Sequence, residues 1–312
     1  MKAARIVFPK FCFGKTPLQE AEKLAQMGVG GFCLSGATAQ ETHDFIQYIQ
    51  EISPYDKLLF CADIAEDLSE IITDAPRLPA NARLNKDSDD AYQKGFLTAR
   101  MARSIGINWV LAPVIDLGYT TPTFSDKPME VVQLAGDYIA GLSNGGVLNC
   151  LKYFPGVSGV LKTLAQMEDA EFVPYKHMFR RADAIMPSDM TFPNIDNDNQ
   201  AMLSDKVLLG VLKKRLNYKG CIMSFPLCDG YLRYEEGCAI KMLHAKVENL
   251  LAPKNPFAVI EAIEREVNRG FLTDEIIHAI SNHELFLSKI TAAPEILSIE
   301  AAFELARKYF HN

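Results

Sequence analysis

Asp63 and Lys152 each close a short, strongly apolar run, Leu58–Asp63 and Val147–Lys152. A charge at the end of such a run must be paired or must face a polar cavity, because an isolated ionised group is costly among apolar side chains. Two chemistries meet that demand. Asp63 accepts and Lys152 donates hydrogen bonds to a polar ligand, or the two form a structural ion pair with each other. Lys152 also opens the segment Lys152-Tyr153-Phe154-Pro155-Gly156, in which a rigid Pro-Gly turn follows the run directly. Other carboxylates stand at comparable places. Asp116 follows Ala112-Pro113-Val114-Ile115, Asp189 follows Ala184–Ser188, and Asp229 lies four residues beyond Phe225. Asp116 reads as the cap of its own loop, and Asp229 as the cap of a helix that starts nearby.

Histidine, the commonest general acid–base, is missing from these places. His43, His177, His244, His278, His283 and His311 fall in or near helical stretches or in the tail, and read as surface or helix-face residues. Seven cysteines, Cys12, Cys33, Cys61, Cys150, Cys221, Cys228 and Cys238, form an odd set without a Cys-x-x-Cys pair. They read as small hydrophobes in a reducing compartment and give no zinc spacing, so no metal and no cofactor is expected.

These residues need elements to hold them. Strand-like runs recur at Ala4–Phe8, Gly31–Ser35, Leu58–Asp63, Trp109–Pro113, Val147–Lys152, Ala184–Ser188, Gly220–Phe225 and Val247–Ala252. Each is short and apolar throughout, as a strand buried on both faces should be. Apolar residues near a 3.6 period predict helices over Leu18–Met27, Ala39–Ile52, Asp89–Ile105, Val131–Ser143, Pro174–Ala182, Asp205–Leu216, Tyr231–Ala245 and Pro256–Arg269. Ser204 reads as an N-cap. Eight strand–helix units in series predict an α/β fold, a (β/α)8 TIM barrel over residues 1–270. Residues 271–312 are expected to form a helical tail packed on it, the whole being one domain. An open doubly wound sheet is the alternative. Against it, Gly28-Val29-Gly30-Gly31 precedes a strand instead of following one, which suits a helix C-cap and not a dinucleotide loop.

The composition, 48% hydrophobic and 23% charged over 312 residues, is that of a globular chain. The formal net charge of −7 gives no support to nucleic-acid binding. No stretch approaches the roughly 20 apolar residues of a membrane span, and Met1 to Lys15 lacks the apolar core of a secretory signal. A cytoplasmic location is expected, with the oligomeric state left open.

Several segments in order resemble glycoside hydrolase family 3, in its single-barrel β-N-acetylhexosaminidase branch. Lys152-Tyr153-Phe154-Pro155-Gly156 is similar to that branch's Lys-His-Phe-Pro-Gly signature. Cys61-Ala62-Asp63 stands where the family has a sugar-binding Asp, and Arg77-Leu78-Pro79 matches the Arg-Leu-Pro that follows. Gly106 to Leu117 resembles the fourth-strand pattern, Ala184-Ile185-Met186 with Phe192-Pro193 and Asp196 the sixth, and Leu203-Ser204 with Gly220 and Ser224 the approach to the seventh. The resemblance implies a sugar site containing Asp63, Lys152, Tyr153 and Asp189, and a ligand that is an amino sugar or cell-wall fragment.

The same resemblance exposes departures. Family members place a nucleophilic carboxylate just after the seventh strand. This chain reads Ser224-Phe225-Pro226-Leu227, with Phe225 at that position. The acid–base His of the loop after Phe-Pro-Gly has no counterpart in Val157-Ser158-Gly159-Val160, and Tyr153 replaces the His of the signature. Glu66-Asp67-Leu68 stands for Gly-Gly-Arg, Pro122-Thr123-Phe124-Ser125 for Arg-Ser-Phe-Gly, and Asp189 for a further His. A barrel that has lost hydrolysis and keeps some sugar binding is the expectation. The alternative is an active glycosidase using other carboxylates, Asp189 and Asp229 foremost, with Asp63 and Glu168 or Asp169. A phosphate-using barrel is disfavoured, because the segments after the last two strands, Phe225-Pro226-Leu227-Cys228 and Pro253-Lys254-Asn255-Pro256, are not glycine-rich.

Overall fold

The computed structural model describes residues 3–310 except 121, 231, 233, 292 and 293. Tyr231, the expected start of a helix, and His311 therefore lie outside the described residues.

The apolar runs become eight parallel strands: β1 Val7–Phe8, β2 Gly31–Ser35, β3 Leu59–Asp63, β4 Trp109–Leu111, β5 Cys150–Phe154, β6 Ala184–Pro187, β7 Cys221–Ile222 and β8 Leu250–Leu251. Lys10–Cys12 prolongs the first stave and pairs with β2, Lys10 opposite Cys33. Ladders join β2 to β3, β3 to β4, β5 to β6 and β6 to β7, the β5–β6 register shifting between Lys152 and Phe154. Val7 pairs with Leu250 and Phe8 with Leu251, so the last strand returns to the first. Isolated bridges close the two remaining seams, Trp109 with Leu148 and Val114 with Lys152 in one, Met223 with Asn249 in the other. The Val110 amide donates to Leu148 O at 2.9 Å and the Ser224 amide to Asn249 O at 2.8 Å. The sheet is a closed (β/α)8 barrel, and the open doubly wound alternative is excluded.

The outer ring is α1 Leu18–Met27, α2 Ala39–Ile52, α3 Asp90–Ile105, α4 Pro128–Gly145, α5 Phe172–Met178, α6 Lys206–Arg215, α7 Glu235–His244 and α8 Pro256–Asn268. Local chemistry sets several ends. A capping box between Thr38 and Glu41 starts α2. Gly28, at φ 84°, ends α1 in the left-handed region as the glycine run predicts. Several expectations fail in detail. The Asp205–Leu216 segment winds as a π-helix, although the Ser204 hydroxyl does accept the Val207 amide. The Pro174–Ala182 helix begins earlier, so that Pro174 occupies a first turn where its missing N–H costs nothing. Ala3–Ile6 is a 3-10 turn, leaving β1 shorter than its apolar run.

Side chains alternate along each stave. Phe8, Cys33, Leu59, Cys61, Trp109, Leu111, Leu148, Cys150, Met186, Cys221, Met223 and Leu251 fill the barrel interior. The intervening Phe60, Ala62, Val110, Leu151, Ile185 and Ile222 pack outward under the helices. The tail helix α9, Thr273–Thr291, crosses the N-terminal end, and α10, Ile299–Phe310, packs on α3. Phe286 of α9 enters the interior cluster, its ring 5.2 Å from Trp109. His283 stacks on Phe8 at 5.9 Å and is only 1% exposed. Of the surface or helix-face reading only the helix face holds for His283: α9 turns that face inward because it caps the barrel. Among the described residues no helix is long and apolar enough to cross a membrane.

Candidate active site

The inward series runs one step beyond the apolar core. Period two carries Cys33 to Ser35, Cys61 to Asp63, Cys150 to Lys152, Met186 to Ser188 and Met223 to Phe225. These five side chains are the top layer of the barrel, at the C-terminal mouth where βα loops converge.

Lys152 Nζ lies 2.7 Å from Asp63 Oδ1. The pair spans β3 and β5 across the end of β4, where Asp63 stands in register with Leu111. Lys152 is sealed, with 1% of its side chain exposed, whereas Asp63 keeps 27% toward the mouth. Burial by itself lowers the pKa of the Lys152 ammonium; Asp63, together with Tyr153 and Cys150, outweighs it, and the net shift is upward. Tyr153 covers the pair, its ring centroid 5.3 Å from Lys152 Nζ. Phe225 meets Tyr153 at 5.7 Å between centroids. Phe225 is half-buried against the interior cluster, while the preceding Ser224 is spent on structure, its Oγ accepting the Leu251 amide at 2.8 Å.

The other acids divide. Asp189 is half-buried, and burial raises its carboxyl pKa, with the Asp229 carboxylate adding to the rise. These two groups are thus electrostatic neighbours from the β6 and β7 loops. Asp229 does not cap a helix as expected. It is exposed in a tight turn, its amide donating to Pro226 O at 3.1 Å, and α7 begins only at Glu235. Glu168 is held by Lys176 and by Arg215 Nε at 2.6 Å, and Asp169 is exposed beside it.

Asp116 also departs from its expected role. Instead of capping its own loop, its Oδ1 accepts the Val157 amide at 3.0 Å from the loop after β5. The Tyr153 backbone also draws the pKa of this carboxyl group down. Burial raises this carboxyl to about 7 against the pull of both, and Glu171 adds to the rise.

Glu171 was not legible as a site residue. It is buried at the N-terminus of α5, and its Oε1 accepts Ser158 Oγ at 2.8 Å and Lys162 Nζ at 2.6 Å. Gly156, at φ 113°, rests on it: a Cβ there would meet Glu171 Cγ at 2.8 Å and Asp116 Oδ1 at 3.8 Å. Glycine is required on both counts. The available signal was the four-residue spacing of Glu171 and Tyr175, which puts both on one helix face. Lys10 was missed as well. It continues the inward series from Phe8; burial lowers its pKa, but Cys33, Cys12, Cys228 and Asp229 together raise it. Among the described residues no group of three or more His, Cys, Asp or Glu is placed to hold a metal ion.

Chemically, the mouth offers a charged hydrogen-bonding pair roofed by aromatic rings, a setting for hydroxyl recognition. It puts a phenyl ring where the seventh stave delivers its last inward side chain.

A family model described as the glycosyl hydrolase family 3 N-terminal domain matches residues 2–284. A β-hexosaminidase of Photobacterium profundum is 29% identical over 51% of this chain and 52% of its own length. One from Neisseria meningitidis serogroup B is 28% identical over 67% of this chain and 66% of its own. The chain thus spans about half the length of the first of these relatives. Among solved structures, native NagZ from Neisseria gonorrhoeae superposes with a TM-score of 0.76 at 22% identity, covering 97% of both chains. A β-N-acetylglucosaminidase from Thermotoga maritima gives 0.81 at 19% identity, over 98% of this chain and 71% of that one.

Proposed function

We propose, on the premise that this chain belongs to glycosyl hydrolase family 3, that it is a member whose mouth holds a carbohydrate without hydrolysing it. The curated relatives are β-hexosaminidases, so the ligand class is an amino sugar or a cell-wall fragment. Asp63 and Lys152 supply hydrogen bonds, and Tyr153 and Asp189 border the ligand. Residues 1–270 form the working barrel and 271–312 a tail that belongs to the same unit. The seven free thiols fit a cytoplasmic setting.

The observation that carries this reading is Phe225. A retaining glycosidase needs two carboxyl groups about 5–5.5 Å apart, one of which attacks the sugar. A phenyl ring can neither attack nor balance the developing positive charge. The loop 157–159 that would bear the proton donor is instead a short turn fastened by Asp116 and Glu171.

Two measurements test it together. Aryl β-N-acetylglucosaminides should be cleaved no faster than by heat-inactivated protein. Amino sugars or cell-wall fragments should raise the melting temperature; at about 100 times Kd the gain is roughly 2.7 kcal/mol. Turnover abolished by Asp63→Ala refutes the silent-barrel reading. The absence of any thermal shift refutes sugar binding.

One observation favours a second reading. Burial first, and then the Asp229 carboxylate, raise the Asp189 carboxyl pKa, as in an acid pair with divided roles. In that case the chain is a glycosidase with unorthodox carboxylates. Activity would then be present in the wild type and lost in Asp189→Asn, with Asp63→Asn weakening binding more than rate.

A further inference from the structure

Asp116 lies against the turn that follows Tyr153 and holds it at Val157. Its Oδ1 accepts the Val157 amide at 3.0 Å, and at the other end of the turn the Tyr153 backbone draws the pKa of the same carboxyl group down. Between these anchors Gly156 is pressed onto Glu171 and Asp116. Tyr153 in turn carries the ring that meets Phe225 above the Asp63–Lys152 pair. One buried carboxyl group is therefore linked, through a single turn of backbone, to the aromatic pair at the mouth.

The groups around Asp116 come from two elements. The end of β5 brings Tyr153. Helix α5 brings Glu171 and Tyr175, whose hydroxyl is buried without a hydrogen-bond partner, as is Glu171 Oε2. The neighbouring cations are committed elsewhere: Lys162 to Glu171 Oε1 at 2.6 Å, and Lys152 to Asp63 at 2.7 Å. Ionising Asp116 thus places an anion in a closed space beside a second carboxylate. Protonating it removes that cost and still leaves an oxygen to accept the Val157 amide.

We propose that Asp116 is a proton-operated clasp: protonated, it holds the Tyr153–Val157 turn down and keeps the Tyr153–Phe225 pair closed over the mouth; ionised, it lets the turn go. The inference concerns the turn itself and stands whether or not the mouth takes a sugar. Linkage fixes the direction. In the closed turn burial raises the carboxyl to about 7; in an opened, hydrated turn it returns to about 4. The closed form binds the proton more tightly. Closure is therefore strongest below about pH 4, weakens as the pH rises to about 7, and changes no further above that. Within this window the ratio of open to closed turn grows by up to about tenfold per pH unit.

The test is residue-resolved amide exchange at Tyr153 and Val157 between pH 4.5 and 8.5, corrected for the intrinsic pH dependence of exchange. In the wild type, opening should climb by about tenfold or more from pH 5 to pH 7 and then level off. Asp116→Asn, uncharged at every pH and able to accept the Val157 amide, should stay closed with no slope. Glu171→Gln removes the neighbouring carboxylate and should move the levelling point to lower pH. A flat wild-type profile overturns the proposal, as does a slope that survives in Asp116→Asn. Should the Asn variant fail to fold, a carboxyl-carbon NMR titration of the wild type decides: a midpoint near neutrality supports the clasp, and one near the ordinary aspartate value sinks it.

Discussion

Replacing Asp63 and replacing Lys152 should not cost the same, although they are the two halves of one ion pair 2.7 Å long. Asp63→Asn keeps the shape and removes the countercharge from an ammonium that is 1% exposed. An uncompensated buried charge costs about 3–5 kcal/mol. Lys152→Met instead removes the buried charge, fills its path with an unbranched apolar chain, and leaves a carboxylate that is 27% exposed and can be hydrated. That change should cost only about 1–2 kcal/mol. The double variant carries no charge at all and should be more stable than Asp63→Asn, giving a coupling energy of roughly 2–4 kcal/mol. Urea denaturation followed by tryptophan fluorescence suits the measurement. The chain has one tryptophan, Trp109, and it is fully buried in the barrel interior against Phe286. Its emission reports the layer directly beneath the ion pair. The reasoning is refuted if Lys152→Met destabilises as much as Asp63→Asn, or if the double variant is the least stable of the three.

Two further outcomes are expected. Phe225→Asp puts a carboxylate at the end of the seventh stave, yet it should still show no turnover of aryl β-N-acetylglucosaminides, because no proton donor stands opposite; measurable rate in this variant would reveal an acid that we do not recognise. His283, buried with neither ring nitrogen hydrogen-bonded, has its pKa pushed well below the usual value by burial and then by Arg5. The unfolded chain therefore takes up a proton below about pH 6.5 that the native state refuses, so stability falls with acidification by up to about 1.4 kcal/mol per pH unit. His283→Phe should flatten this part of the pH–stability curve and raise stability at pH 8, whereas an unchanged slope between pH 5 and pH 8 would assign the acid sensitivity to other groups.

Much of the fold was legible because its rules are local. Runs such as Leu59–Asp63 and Cys150–Phe154 are apolar on both faces, which marks strands covered on both sides, and eight of them in alternation with helices close a barrel. Period two then decides which side chain of each stave reaches the mouth, so Asp63, Lys152 and Phe225 could be set there by counting. The ends of α1 and α2 follow from Gly28 and from Thr38 with Glu41, residues within one turn of the ends they set. The misread residues share a different property. Asp116 finds the Val157 amide 41 positions away, and His283 is buried because α9 crosses back under β1. Glu171 matters through Gly156, and Asp229 is drawn toward Asp189 by two loops that meet only when the ring closes. Periodicity and capping reveal which face a side chain takes within its own element. Whether that face is dry, which charge stands opposite, and hence what proton a carboxyl or imidazole keeps, depend on segments brought together by barrel closure. The residue pattern thus determined the architecture and the roster of the mouth, and tertiary packing decided the electrostatics that give those residues their roles.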